Sequence, residues 1–198
     1  MPPVTQALLI TNVAVFLLQG AGGEALVEWF ALWPIGSSGP GFEIWQLVTY
    51  SFLHGGLAHI GFNMFALYMF GGDIERLLGS RFFLAYYFAC VVSAALFQLV
   101  ISSLVGGPAY PVIGASGGIY GVLLAFGIYF PRRMVMLIIP PIPMQARTFV
   151  VLVGALELIF GVTGTGAGVA HFAHLGGMLG GWLMIRYRRR GLPFSGPR

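Results

Sequence analysis

What most limits the fold open to this chain is a succession of long apolar runs. Six of them, bounded by Gly, Pro and Arg, fall at about residues 5–19, 57–72, 82–105, 116–130, 147–163 and 168–185. Each is near the roughly 17–25 residues a helix needs to cross a bilayer, where the backbone must satisfy its own N–H and C=O groups. The pattern predicts an all-α membrane protein with six transmembrane helices. Apolar residues make up 58% of the chain and charged residues 8%, against roughly 25% charged in a soluble domain. So few charges exclude the solvated surface that a soluble α/β-hydrolase requires. The second and fourth runs are short, at about 15 residues or 22 Å, so they tilt little or one end stops inside the roughly 30 Å hydrocarbon core.

All ten basic residues are arginine. Arg76 and Arg81 follow the second run, Arg132, Arg133 and Arg147 separate the fourth from the fifth, and Arg186, Arg188, Arg189 and Arg190 follow the sixth. Six spans place all of these on one side, with Glu24, Glu28 and Glu43 on the other, so the positive-inside rule sets both termini in the cytoplasm. The net charge of +4 sits in short clusters between apolar runs, not in a basic and aromatic stripe, and no nucleic-acid partner is expected. The start, "MPPVTQALLITNVAVFLLQG", has no basic n-region or A-x-A site and reads as a retained first helix. In the first connection, residues 20–50, "EALVEWFALWP" spaces Leu26, Val27, Trp29, Phe30, Leu32 and Trp33 as an interfacial helix. Trp29, Trp33 and Trp45 would anchor it, with Trp182 as the cytoplasmic counterpart. Cys90, the single cysteine, excludes an intrachain disulfide or a CxxC site and reads as a packing residue. One membrane domain is expected over residues 1–190, followed by a disordered tail at 191–198.

Polar side chains inside a bilayer are costly and mark partners or function. Here they are His54, His59 and Asn63 near the second run, Ser116 and Tyr120 in the fourth, Glu157 in the fifth, and His171 and His174 in the sixth. At about 1.5 Å per helical residue, Ser116 lies some 24 Å above Arg132, His59 some 25 Å above Arg76 and His174 some 18 Å above Arg186. All three converge in the outer half of the membrane. The preceding "SLVGGPAYPVIGA" is too rich in Gly and Pro for regular helix, so it must pack in protein or line a watery cavity. His59 and Asn63 share a helical face at i and i+4, as do Ser116 and Tyr120. Gly177 and Gly181 follow His174 at three and seven positions, and Gly117 and Gly121 follow Ser116. Two small-residue faces permit close helix contact, which would bring His174 within reach of Ser116. A Ser and a His in hydrogen-bond reach are the minimum for nucleophilic acyl transfer.

With "HGGLAHIGFN" carrying His59 and Asn63, "GGDIERLLGS" after it, G-x-S-G at Gly114–Gly117 and A-H-x-x-G-x-x-x-G at Ala173–Gly181, the chain resembles the rhomboid intramembrane serine proteases of the compact six-helix kind. The likeness runs from about Trp45 to Gly181. It implies Ser116 as nucleophile and His174 as general base, with an oxyanion site formed by the Ser116 backbone N–H and the side chains of His59 and Asn63. It also implies Tyr120 packed on the His174 ring in place of a triad acid. No Asp or Glu is expected in that role, which makes the machinery a dyad. Substrates would be single-span membrane proteins cut near their outer ends, in a bacterial inner membrane with the site opening toward the periplasm. No cofactor or metal is expected: a zinc protease's H-E-x-x-H is absent, and all four histidines lie toward one membrane level, unlike a bis-histidine haem site. The alternative is a rhomboid-like client-binding protein without activity, a class expected to lack the Ser or the His.

Some positions stay open at this level. By depth His171, some 22 Å above Arg186, matches Ser116 better than His174 does; the glycine spacing and the family motif favour His174. His54 and His171 are expected to retain water or serve structure, and Glu157 to be a protonated structural acid bonded to a neighbouring helix. Gln46 stands where the family's first loop usually carries Arg after Trp, which leaves that position's role open.

Overall fold

The computed structural model describes residues 1–36, 40–105, 111–136, 141–165 and 170–190. Helices dominate, in the order α1 (Pro3–Gly22), α2 (Glu24–Phe30), α3 (Gln46–Thr49), α4 (Leu57–Ala66), α5 (Gly72–Leu78), α6 (Ser80–Val105), α7 (Ser116–Tyr129), α8 (Ala146–Thr163) and α9 (His171–Arg189). Three of them, α1, α6 and α8, are long and apolar enough by themselves to cross a membrane, and α7 is a shorter apolar helix. The outer faces are apolar: Leu17, Val151 and Val162 are each about 70% exposed, which suits a lipid solvent rather than water.

Several expectations change in detail. The second run is not short. A π-helical stretch, Leu67–Gly71, joins α4 to α5, so one helix continues from Leu57 to Leu78, about 33 Å. The fourth run does remain short, at 14 residues. The sixth begins as helix only at His171, and residues 166–169 lie outside the described residues. In the stretch expected to be irregular, Ser103 to Val105 still belong to α6, residues 106–110 lie outside the description, and 111–115 are non-helical. The chain is also not wholly α: Met134–Met136 (β1) pairs antiparallel with Pro143–Gln145 (β2) between α7 and α8. The tail from 191 onward lies outside the described residues.

The core forms where α6, α7 and α9 meet. From α6 come Phe83, Tyr86, Tyr87, Cys90, Val91 and Ala94, all buried. From α9 come glycines on two adjoining faces. A Cβ at Gly176 would lie 2.5 Å from Phe97 Cβ, and one at Gly180 2.5 Å from Ser93 Cβ, so that face abuts α6. The second face abuts α7: a Cβ at Gly177 would lie 1.9 Å from the Gly117 carbonyl oxygen, and one at Gly181 3.3 Å from Gly121 Cα. Tyr86 fixes the junction by donating its hydroxyl to the Gly121 carbonyl at 2.6 Å. Cys90 packs at the same junction, as expected of a small apolar residue; its sulfur would lie 2.2 Å from a Cβ on Gly121.

Loops tie this core to the rest. Helix α2 stops at Phe30, three residues before the expected end, because Ala31 and Leu32 turn extended and buried. Leu32 then forms an antiparallel bridge with Val112, just ahead of Ser116. Gln46, 1% exposed, accepts from Trp33 N at 3.1 Å and donates to Gly41 O at 3.2 Å. That position is therefore an internal clamp of the first loop, a task a neutral amide performs and a cation would not. The acids of "GGDIER" are also structural: Glu75 accepts from the backbone N–H groups of Val4 and Thr5 at 2.9 and 2.7 Å, satisfying the otherwise unpaired start of α1. Asp73 pairs with Arg76 at 2.7 Å and with Arg133.

Candidate active site

Ser116 is the first residue of α7. The turn that delivers it depends on Gly114, whose φ of +124° suits glycine alone and whose N–H bonds the Tyr50 carbonyl at 2.9 Å. Glycine is needed there for space as well, because a Cβ would lie 2.7 Å from His59 Nε2. As a helix's first residue, Ser116 has a backbone N–H with no intrahelical partner, directed at the space before the helix.

His174 lies one turn into α9, 8% exposed. Its Nε2 is 2.8 Å from Ser116 Oγ. The ring of Tyr120 stacks on the imidazole with centroids 4.1 Å apart and planes 5° from parallel. The expectations that the glycine faces bring His174 to Ser116, and that Tyr120 covers its ring, agree with this geometry. His171, the better match by depth, does not touch Ser116 through any described hydrogen bond.

The donor side is less complete than expected. The Gly55 N–H donates to His59 Nδ1 at 3.2 Å, which assigns the ring proton to Nε2, the nitrogen lying over Gly114. Asn63 is 6% exposed, and its amide donates to the His59 carbonyl one turn back at 3.0 Å, steadying the His59 backbone. Neither side chain makes a described hydrogen bond to Ser116. His54 stacks edge-on against His59 at 5.1 Å and is held through its backbone by Gln19 at 3.0 Å in both directions, in keeping with a structural role.

The expectation that no acid stands behind His174 requires correction. Glu157, on α8 and 8% exposed, brings Oε2 to 3.0 Å from His174 Nδ1. The same oxygen is 2.6 Å from His171 Nδ1, and Oε1 accepts the Tyr120 hydroxyl. His171 Nε2 lies 2.9 Å from the Thr165 carbonyl. His171 is thus part of the site's polar cluster, which fits the structural half of its expected role, and Glu157 does bond neighbouring helices, α7 and α9. Sequence spacing could not find this acid, because Glu157 is the lone ionisable residue in the apolar stretch of α8 after Arg147; its only signal was the cost of a carboxyl at that depth.

Ligand atoms of Glu157, His171 and His174 lie within 4.8 Å of one another, the donor set of a divalent-metal site. Ligands at about 2.0–2.1 Å around a tetrahedral ion stand more than 3 Å apart. The 2.6 Å contact between His171 and Glu157 is a hydrogen bond, with no room for an ion between its atoms.

Comparison with known proteins gives a consistent family. The family model described as the Rhomboid domain matches residues 41–191. Rhomboid protease GluP of Bacillus subtilis is 32% identical over 156 residues, which is 78% of this chain and 27% of that protein. Rhomboid protease GlpG of Photorhabdus laumondii is 30% identical over 192 residues, 95% of this chain and 62% of that protein. The same-named protein of Yersinia pestis is also 30% identical, over 95% of this chain and 63% of its own length. The chain therefore spans less than two thirds of the length of these relatives.

Proposed function

The chain belongs to the rhomboid family, and on that premise we propose that it is an intramembrane serine endopeptidase in which Ser116 is the nucleophile and His174 the general base. The observation that carries this is the 2.8 Å approach of His174 Nε2 to Ser116 Oγ, at a helix start surrounded by apolar helices. Ser116 Oγ attacks the scissile carbonyl carbon as its proton passes to His174 Nε2. The oxyanion accepts from the Ser116 backbone N–H and from His59 Nε2–H, with Asn63 contributing its remaining amide proton or holding His59. His174 then protonates the leaving amine, and a water deprotonated by the same nitrogen releases the acyl group.

The arginine distribution supports six spans in one membrane domain over residues 1–190, both termini cytoplasmic, with the site in the outer half of a bacterial inner membrane. Substrates are single-span membrane proteins whose helices unwind near the outer end, at small residues that fit a cramped site. No cofactor enters this mechanism. The test is cleavage of a model single-span substrate in liposomes by wild type, Ser116→Ala and His174→Ala, with a fluorophosphonate adduct mapped by mass spectrometry. The adduct should fall on Ser116, and both variants should lose cleavage. Full activity of Ser116→Ala would refute the mechanism, and an unlabelled, inactive wild type would point to a client-binding relative.

A further inference from the structure

His174 presents two nitrogens to its surroundings, and only one is occupied by the serine. Nε2 must keep its lone pair for the Ser116 proton, so Nδ1 carries the ring hydrogen. That nitrogen is buried and has no aligned hydrogen bond among the described residues, yet Glu157 Oε2 is 3.0 Å away. The N–H is not aligned on that oxygen at rest, so the bond needs the ring or the carboxylate to move. Tyr120 stacks on one face of the ring and donates its hydroxyl to the other carboxylate oxygen.

The proton inventory of the cluster follows from its acceptors. The Thr165 carbonyl only accepts, so His171 Nε2 carries a hydrogen. The 2.6 Å contact between His171 Nδ1 and Glu157 Oε2 needs one more proton, shared by the pair. Tyr120 donates to Oε1, and His174 Nδ1–H faces Oε2, so donors converge on the carboxylate while acceptors face both His171 nitrogens. With that shared proton on His171, the carboxylate of Glu157 carries the negative charge and faces the donors of Tyr120 and His174.

Building on the serine mechanism above, we propose that Glu157 is the positioning acid of a Ser116–His174–Glu157 triad, and that His171 is the partner that keeps it ionised within the apolar helices. In the resting state the carboxylate fixes the His174 tautomer. When Ser116 Oγ gives its proton to Nε2, the ring becomes imidazolium, and its Nδ1–H meets an anion already in place. The proton then leaves from Nε2 to the amine, and Glu157 keeps the same charge throughout. The acid comes from α8 and the other two groups from α7 and α9, so the triad exists only when three helices are packed together.

The experiment measures kcat and KM separately for wild type, Ser116→Ala, Glu157→Gln and Glu157→Asp in liposomes. Removal of the acid from a serine triad lowers kcat by about 10²- to 10⁴-fold. Glu157→Gln keeps the shape and the Tyr120 contact, so a fall in that range with KM within about threefold is expected, and Glu157→Asp should recover at least about tenfold of it. Glu157→Gln with kcat near wild type, while Ser116→Ala is inactive, overturns the triad and leaves the serine mechanism standing. An active Ser116→Ala overturns the mechanism itself. A readout free of variants is the imidazole NMR of 15N-histidine-labelled wild type after phosphonylation, which holds His174 protonated. Its Nδ1 proton should resonate far downfield of a solvated imidazolium; a solvent-like position overturns the proposal.

Discussion

Gly177→Ala is expected to lower kcat/KM by about 10²-fold or more while the protein stays folded. The added methyl would sit 1.9 Å from the Gly117 carbonyl oxygen and 2.8 Å from its carbon. A carbon needs about 3.3 Å from a carbonyl oxygen, so α7 and α9 must part by about 1.4 Å. Both sides of the clash are backbone, so no rotamer change relieves it. Ser116 adjoins Gly117 and His174 lies one turn before Gly177, so the 2.8 Å contact between Oγ and Nε2 would open to about 4 Å, and a 1 Å misplacement costs on the order of 10²-fold. Overpacking costs about 1–3 kcal/mol, offset in part by about 1 kcal/mol of better helix propensity for alanine. The measurements are cleavage of a single-span substrate, the rate of fluorophosphonate labelling, and the unfolding midpoint in detergent. Gly154→Ala on α8 is the control, since its methyl would meet the Met178 sulfur at an ordinary 3.4 Å; activity within about threefold of wild type is expected there. A folded Gly177→Ala protein with kcat/KM within about threefold of wild type would show that close backbone contact does not set the catalytic distance.

Gly114→Ala combines a strained φ of +124° with a methyl 2.7 Å from His59 Nε2, so kcat should drop at least about tenfold as the donor is displaced; unchanged kinetics would remove His59 from the oxyanion site. Asn63→Ala should lower kcat by about ten- to a thousand-fold, and an unchanged kcat would return Asn63 to a purely structural role behind the His59 carbonyl. Gln46→Ala leaves Trp33 N–H and Gly41 C=O without their partner and should cost about 1–3 kcal/mol in a reversible unfolding assay with little change in kcat; loss of activity without loss of stability would place Gln46 in the reaction instead of in the loop.

Local chemistry made much of the site legible in advance. Gly114-x-Ser116-Gly117 opening a short apolar helix, and His174 followed by Gly177 and Gly181, are short-range patterns, and each half of the Ser–His pair could be assigned a helical face from them. Depth along a helix is nearly linear in residue number, so the convergence of His59, Ser116 and His174 at one level was readable too. The rest depended on angles between helices. Depth ranked His171 above His174, but rotation about the α9 axis turns His174 toward Ser116 and His171 toward Glu157. The continuation of α4 through a π turn, the role of Gly176 and Gly180 against α6, and the clamp made by Gln46 are likewise contacts between distant segments with no repeat in the chain to announce them.

By itself the sequence determined the solvent and the parts: apolar runs of bilayer length demand helices, because an unpaired backbone group in hydrocarbon costs several kcal/mol, and arginines at alternate connections give the expected orientation. Only the tertiary structure brought Glu157 to His174. Glu157 and His174 are 17 positions apart on different helices, and nothing in a run of aliphatic neighbours states which way a lone carboxylate faces. That direction is set by the packing of α8 on α7 and α9, where a buried carboxyl is tolerated only with hydrogen-bond partners in place.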